Sequence, residues 1–245
     1  MESITGNGDL CFPSISRSKL IMQTIDESRL ETDPQYRYEF LASFIGFGQD
    51  DVKLIQASAP HLGPRVPQLV DQTYQKLLSF DATARHFVPR QHGFEGPVPA
   101  DLKSLSDDHP QIKFRKDHLN RYFVQLIGRA YDAKMVQYLD MVGRIHTPKS
   151  GNPEIDVPLV QMNAFLGVVS NALLNSIAEW PLAPEVKFRT IMAFNKLLWI
   201  QNDFINRHYQ AELSESSDAS SIGHVADAAS VGANPDGVAP HVGIV

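Results

Sequence analysis

The sequence predicts an all-α protein. Apolar residues recur at three- and four-residue spacing through most of the middle of the chain, and no segment shows the alternation of a half-buried strand. No glycine-rich turn of the kind that joins a strand to a helix is present, and we find no internal repeat. Six or more such helices in 245 residues predict one helical domain rather than a mixed fold.

Charged and apolar residues mark the first helices of this domain. Asp50 and Asp51 place negative charge in the first turn of one helix, where the helix dipole favours it. Apolar residues from Leu69 to Leu78 then recur at helical spacing and predict a second helix. The stretch from Pro89 to Pro110 is rich in proline and glycine, so we expect a long loop there.

Longer helices follow the loop. The segment 114–146 predicts two helices, and the connection 147–158 contains proline, glycine and asparagine. A long apolar helix is predicted from about Leu159 to Trp180. The last helix begins at Pro184, a favourable first-turn residue, and is expected to end near Tyr209.

The two ends of the chain differ from this middle part. Residues 1–31 are weakly patterned, and we expect a flexible segment there. Residues 211–245 contain no aromatic residue, lysine or arginine, so they cannot bury enough apolar surface to offset the entropy of ordering, and we predict a disordered tail. The main domain is therefore expected to span residues 32–210.

Charge and composition exclude several functional classes. A net charge of −6 argues against a nucleic-acid partner and an anionic membrane surface. Cys11 is the single cysteine, which excludes an intrachain disulfide and a zinc site with several thiolates. The N-terminus has no signal-peptide pattern, and the apolar stretch from Ala164 to Leu174 is too short to cross a bilayer. We therefore expect a cytoplasmic protein with no membrane partner.

His146 is the residue with the most distinctive position. It follows the apolar stripe formed by Tyr131, Met135, Leu139 and Val142, and Thr147-Pro148 then ends the helix. A histidine there could bind a metal buried beside the stripe, or it could place a positive charge at the helix C-terminus. On spacing alone the second role is the more common one.

The absence of other metal-ligand patterns narrows the first role. The sequence has no His-Glu-x-x-His and no cysteine pair, so a bare metal ion would lack ligands. A haem iron needs only one strong axial ligand, because the porphyrin supplies four nitrogens. One histidine in an all-α domain is thus compatible with a haem pocket and poorly compatible with zinc.

Five segments between Tyr36 and Tyr209 resemble motifs of the protoglobin and globin-coupled-sensor family. The resembling segments, in chain order, are Asp71-Gln72-Thr73-Tyr74, Phe87, Tyr131-Asp132, Val142-Gly143-Arg144-Ile145-His146 and Val157-Pro158, preceded by a helical segment near Tyr36 to Ile45. The resemblance implies a globin-like helical sandwich with an extra N-terminal helix. It also implies haem b, with a diatomic gas (O2, CO or NO) bound opposite a proximal histidine.

The resemblance assigns roles to individual residues. His146 would be the proximal iron ligand, and Tyr74 the distal residue whose hydroxyl donates to a bound gas. The pocket walls would include Phe87, Leu119, Phe123, Val142, Val160, Phe165 and Val169. Apart from the resemblance, Tyr74 could be a core tyrosine bonded to a backbone carbonyl, and the apolar residues ordinary core.

Charged residues near Leu119 leave further alternatives open. His118 is a rival: turned inward, it would be a sixth iron ligand, although its polar neighbours favour a solvated face. Arg115, Lys116 and Arg121 could meet haem propionates or form a wet surface. No distal histidine–arginine pair is recognised, so we expect a binding protein rather than an enzyme.

The resemblance also implies a homodimer formed by the last two helices, and the last of them is apolar almost all round. No output domain follows, so a stand-alone protein used in gas sensing, storage or detoxification is expected. Two alternatives remain: a haem-less globin-like interaction module in signalling, and a haem enzyme with peroxidase, nitrite or NO activity.

Overall fold

A computed structural model describes residues 22–147 and 154–229, with side chains described as far as residue 210. These residues form α-helices, two short 3-10 turns and connecting segments, with no strand in the described ranges, which confirms the all-α class. The helices are α1 (Glu27–Thr32), α2 (Pro34–Ile45), α3 (Gln49–Ala57), α4 (Ala59–Leu62), α5 (Val66–Leu78), α6 (Asp81–Ala84), α7 (Pro110–Gly128), α8 (Ala133–Arg144), α9 (Leu159–Ala178) and α10 (Pro184–Ala229).

Aspartate side chains begin several of these helices. Asp26, Asp33 and Asp132 each accept hydrogen bonds from two backbone N–H groups in the first turn of α1, α2 and α8. Asp51 reaches back from the first turn of α3 to accept from the Gly48 N–H at 2.9 Å. The predicted start of a helix at Asp50-Asp51 is thereby confirmed.

Helix α10 lies at the centre of the packing. It contacts α2, α3, α8 and α9, while α7 packs against α3 and α5, and α9 also contacts α5. The inner residues of α10 are fully buried, as are Leu126 of α7, Leu139 of α8 and Leu173 of α9. The buried residues of α7, α8, α9 and α10 belong to one hydrophobic core.

Both ends of the main domain differ from the sequence prediction. Helix α1 (Glu27–Thr32) falls, except for its last residue, in the segment 1–31 that we predicted to be flexible, and Asp26 caps its first turn. Helix α10 continues past Tyr209 to Ala229, although a disordered tail was predicted from Ala211. A helix already nucleated by packing extends at little cost until a stop signal appears. The remaining predicted flexible residues, 1–21 and 230–245, lie outside the described ranges.

The long loop between Pro89 and Pro110 is confirmed and is tied to α7. The Gln111 side chain donates to the carbonyl oxygens of Phe87 and Pro89 at 2.8 and 2.9 Å. Lys116 pairs with Asp107 of the loop at 2.8 Å and with Asp71 of α5 at 2.9 Å. These contacts hold the loop beside α5 and α7.

Within the described part of the chain, none of the helices has the length and apolar character that a bilayer span requires.

Candidate functional site

His146 lies one residue beyond the C-cap of α8, and a backbone hydrogen bond joins it to the segment before α9. Its carbonyl oxygen accepts from the N–H of Val157 at 3.4 Å, and the Tyr209 hydroxyl donates to the Val157 carbonyl at 2.6 Å. The segment before α9 is thus tied to α10 as well as to His146. The histidine occupies a defined position although it follows the last helical turn.

One ring nitrogen of His146 is hydrogen-bonded to the backbone, and the other is free to bind a ligand. Its Nδ1 lies 3.0 Å from the Val142 carbonyl oxygen. A carbonyl only accepts, so Nδ1 carries the proton and Nε2 keeps its lone pair. Burial lowers the pKa of His146 to about 4, helped by the positive charge of Arg115 and opposed by the hydrogen bond to Val142. The ring is therefore neutral at pH 7, as a metal ligand must be.

The motif that ends at His146 contains a glycine, Gly143, where α8 and α10 approach each other closely. A Cβ atom at this position would overlap the backbone carbonyl group of Phe204 and lie 3.1 Å from the His208 ring. Only a glycine allows α8 to approach α10 this closely. The glycine therefore sets the position of the last turn of α8, from which Val142 holds His146.

Tyr74 lies on the buried face of α5 beside Phe87. The two ring centroids are 5.6 Å apart, and both side chains are buried. Burial raises the pKa of the Tyr74 phenol, and the Arg115 charge opposes that rise. No hydrogen bond of the Tyr74 hydroxyl is found among the described residues. A buried phenol without a protein partner is available to a ligand or to water.

The predicted wall residues do not all face the interior. Phe87, Phe123 and Val169 are buried, whereas Leu119, Val142 and Phe165 are half-buried and packed against the core. Val160 is 73% exposed, so its side chain does not lie inside this wall. It occupies the first turn of α9, whose outer face it shares with other exposed positions.

His118 and the three basic residues Arg115, Lys116 and Arg121 of α7 lie in different surroundings. His118 is exposed, with its Nδ1 atom 2.9 Å from the Phe114 carbonyl, and Arg121 is also exposed. The polar neighbours of His118 therefore indicate its solvated face correctly. Lys116 belongs to the ion pairs with Asp71 and Asp107. Arg115 alone turns inward.

Arg115 and His86 are polar side chains of the interior that the motifs do not reveal. The Arg115 Cζ atom lies 4.9 Å from the Phe87 ring centroid, and Nη2 donates to the His86 carbonyl at 3.2 Å. His86 is buried, and its Nε2 atom has no hydrogen-bond partner in the described chain. His86 carries no sequence signal beyond its place before Phe87, whereas Arg115 has the helical spacing that puts it one turn before Leu119.

The guanidinium of Arg115 acts on both the Tyr74 side and the His146 side of the site. Its charge acts on the pKa of both Tyr74 and His146, so both rings lie within range of the same group. The residues present fit a haem: a neutral histidine with a free nitrogen, a buried tyrosine with a free hydroxyl, and a cation for acidic groups. In the described residues no group of three or more His, Cys, Asp or Glu could hold a metal ion by itself.

A family model named Protoglobin matches residues 35–215 of the sequence, which is most of the chain. The chain belongs to the protoglobin family. The match begins inside α2 and ends inside α10, so it contains every helix that forms the core. The family assignment supports a globin-type, gas-binding function.

Solved structures support the fold of this protoglobin family member. The globin domain of a Geobacter sulfurreducens globin-coupled sensor is 22% identical, with a TM-score of 0.54. The likeness covers 70% of this chain and 96% of that domain. At this identity it shows the globin fold, as predicted, and it says nothing about individual ligands. No curated protein matches the chain.

Proposed function

We propose that the protein binds haem b and reversibly binds a diatomic gas, O2, CO or NO, for sensing, storage or detoxification. When bound, haem supplies an iron with an open sixth position for such a gas. The observation that supports this proposal most is the state of His146: neutral, with Nδ1 bonded to Val142 and Nε2 free.

The distal side of the proposal rests on Tyr74. Its hydroxyl lacks a partner in the described chain and lies among apolar residues, where a hydrogen bond is stronger than in water. Dioxygen on iron carries partial negative charge, so a phenol O–H would hold it and slow its release. Phe87, Phe123 and Val169 would exclude water from the same space.

An absorption spectrum tests this function directly. Protein expressed with added haem is examined in the ferric state, after reduction with dithionite, and after addition of CO. We expect a Soret band that shifts on CO binding, because His118, the histidine considered as a second iron ligand, is exposed on the outside of α7. Substitution of His146 by Ala is expected to abolish stable haem retention.

His118→Ala is the matched control for the histidine variant, since His118 lies exposed on the outside of α7. It should leave the spectrum and the CO shift unchanged. A reduced spectrum that resists CO would contradict gas binding and identify a second protein ligand. No Soret band at all would refute the proposal in favour of a haem-less interaction module.

We also propose that two copies of the chain associate through α9 and α10. Phe188, Met192 and Trp199 share one stripe of α10 and are 64%, 39% and 60% exposed. On α9 the outer positions include Val160, and Ala164 and Gly167 follow at helical spacing, so another helix could approach closely. An exposed apolar surface of this kind is typical of an association site.

A further inference from the structure

Arg115 is a cation without a counter-charge. Among the residues that the structure describes, no carboxylate pairs with Arg115, although almost every other inward-facing arginine or lysine of the domain has one. Burial lowers its pKa to about 10, and Tyr74 is the group whose charge opposes that fall. The side chain is half-buried, and no carboxylate of the described residues offsets the hydration that the guanidinium loses.

The Arg115 guanidinium has more hydrogen-bond donors than it has acceptors among the described residues. Nη2 donates to the backbone carbonyls of His86, at 3.2 Å, and Pro89, at 3.5 Å. The Nε atom is buried and has no hydrogen-bond partner in the described chain. The guanidinium carbon lies 4.9 Å from the centroid of the Phe87 ring, and the ring centroids of Phe87 and Tyr74 are 5.6 Å apart. Arg115 and Tyr74 therefore both contact Phe87, and the buried Nε donor belongs to the same cluster of side chains.

We propose that Arg115, together with Tyr74, forms an anion-binding site in the pocket, which takes a small anion such as fluoride, azide or nitrite, or the carboxylate of a bound cofactor. This inference rests on the proposed haem function and extends it, because a neutral gas makes no demand for a buried cation. A guanidinium and a phenol together present donors to one small anion, with charge assistance from the first.

The site would change what the protein binds. A pocket with only Tyr74 holds a weakly polar gas, whereas a pocket with an added cation favours ligands of full negative charge. Arg115 would then select between ligand classes without contact with the proximal side.

The probes are fluoride and azide, titrated against the ferric, haem-loaded protein at pH 7, with CO bound to the reduced protein as the neutral reference. In Arg115→Met we expect fluoride and azide to bind about tenfold more weakly or worse, because a charge-assisted hydrogen bond is lost. CO affinity should stay within about twofold. Arg115→Lys keeps the charge and should recover part of the anion affinity.

Two further measurements separate the source of the anion from a structural role. The rate at which haem transfers to an excess of apomyoglobin reports on a contact with a cofactor carboxylate. If Arg115→Met releases haem faster than the wild type but keeps its fluoride affinity, the anion held by the site is that carboxylate. Urea unfolding of the apoprotein should show Arg115→Met to be at least as stable as the wild type, because an unpaired buried charge opposes folding. Arg121→Met, on the exposed side of the same helix, is the matched control.

Some outcomes would overturn the inference. If Arg115→Met matched Arg121→Met in both anion affinity and haem transfer, Arg115 would serve only to hold the carbonyls of the loop. A marked loss of apoprotein stability with no change in ligand binding would also reject the site. Wild-type protein with no Soret band would instead refute the proposed function, which is a separate result.

Discussion

Tyr74 gives the proposed gas site a hydroxyl that has no hydrogen-bond partner among the described residues. Tyr74→Phe removes it and keeps the ring that packs against Phe87. We expect the dissociation rate of O2 to rise about tenfold or more, which corresponds to the loss of one hydrogen bond to a partly charged ligand. The dissociation rate of CO should change little, because CO carries less charge. Stopped-flow measurements of both gases on both proteins check this.

A role of Tyr74 in the core alone would give a different result. In that case Tyr74→Phe would change O2 and CO release by the same factor. Urea unfolding should show similar stability for the two proteins, since no hydrogen bond of this hydroxyl to the described chain is broken.

At the scale of elements, Gly143 sets the distance between α8 and α10. Gly143→Ala would force the helix backbones apart, because the new methyl group meets the carbonyl of Phe204 rather than a flexible side chain. We expect a loss of about 1–3 kcal/mol in the free energy of unfolding, as for overpacking elsewhere. Haem should also dissociate faster, since the turn that holds His146 moves.

Gly128 provides the matched control for this substitution. It lies in the last turn of α7, and a Cβ atom there would meet nothing within 4 Å. Gly128→Ala should leave the free energy of unfolding unchanged or raise it by up to about 1 kcal/mol through helix propensity. Equal effects of the two alanines in urea unfolding would contradict the close approach of α8 and α10.

Asp140 joins α8 to α10 by charge. Burial by itself would raise the pKa of Asp140, but the hydrogen bond with His208 and the charge of Arg207 outweigh it, so the pKa lies below the usual value of a carboxyl. A carboxyl with a lowered folded-state pKa stabilises the protein above its unfolded pKa and loses this contribution as the pH falls through the folded one.

Asp140→Asn should therefore destabilise the protein at pH 7 and become indistinguishable from the wild type at the lowest pH at which both still fold. Urea unfolding between pH 7 and pH 3 measures this difference. Asp117→Asn, on the exposed face of α7, is the matched control for the loss of a carboxyl. A destabilisation by Asp140→Asn that did not depend on pH would argue against the ion pair.

At the scale of the whole molecule, the outer stripe of α10 is the place to test the proposed dimer. Trp199→Glu places a charge in the middle of the proposed interface and is expected to convert a dimer into a monomer. Sedimentation velocity measures the change. Val124→Glu is the control, because Val124 is 53% exposed but lies on α7. Wild-type protein that sediments as a monomer would contradict the proposed interface.

Much of this molecule follows from local rules in the sequence. Helical spacing of apolar residues predicts the all-α class, since it requires only that one face of each helix be buried. Aspartates predict helix starts, as at Asp51, because a side chain and a backbone N–H a few residues apart determine them. The family resemblance rests on five short segments in order, and the family model that matches residues 35–215 confirms it.

The tertiary structure decided what depends on distant residues. Whether Arg115 faces water or Phe87 depends on how α7 rotates against the loop, and the sequence left both open. The need for Gly143 arises from Phe204, which lies on another helix. Helix α10 continues to Ala229, although the composition changes after Tyr209. Local patterns determine elements because their causes lie within a few residues, whereas charge burial and close approach arise only when separate helices meet.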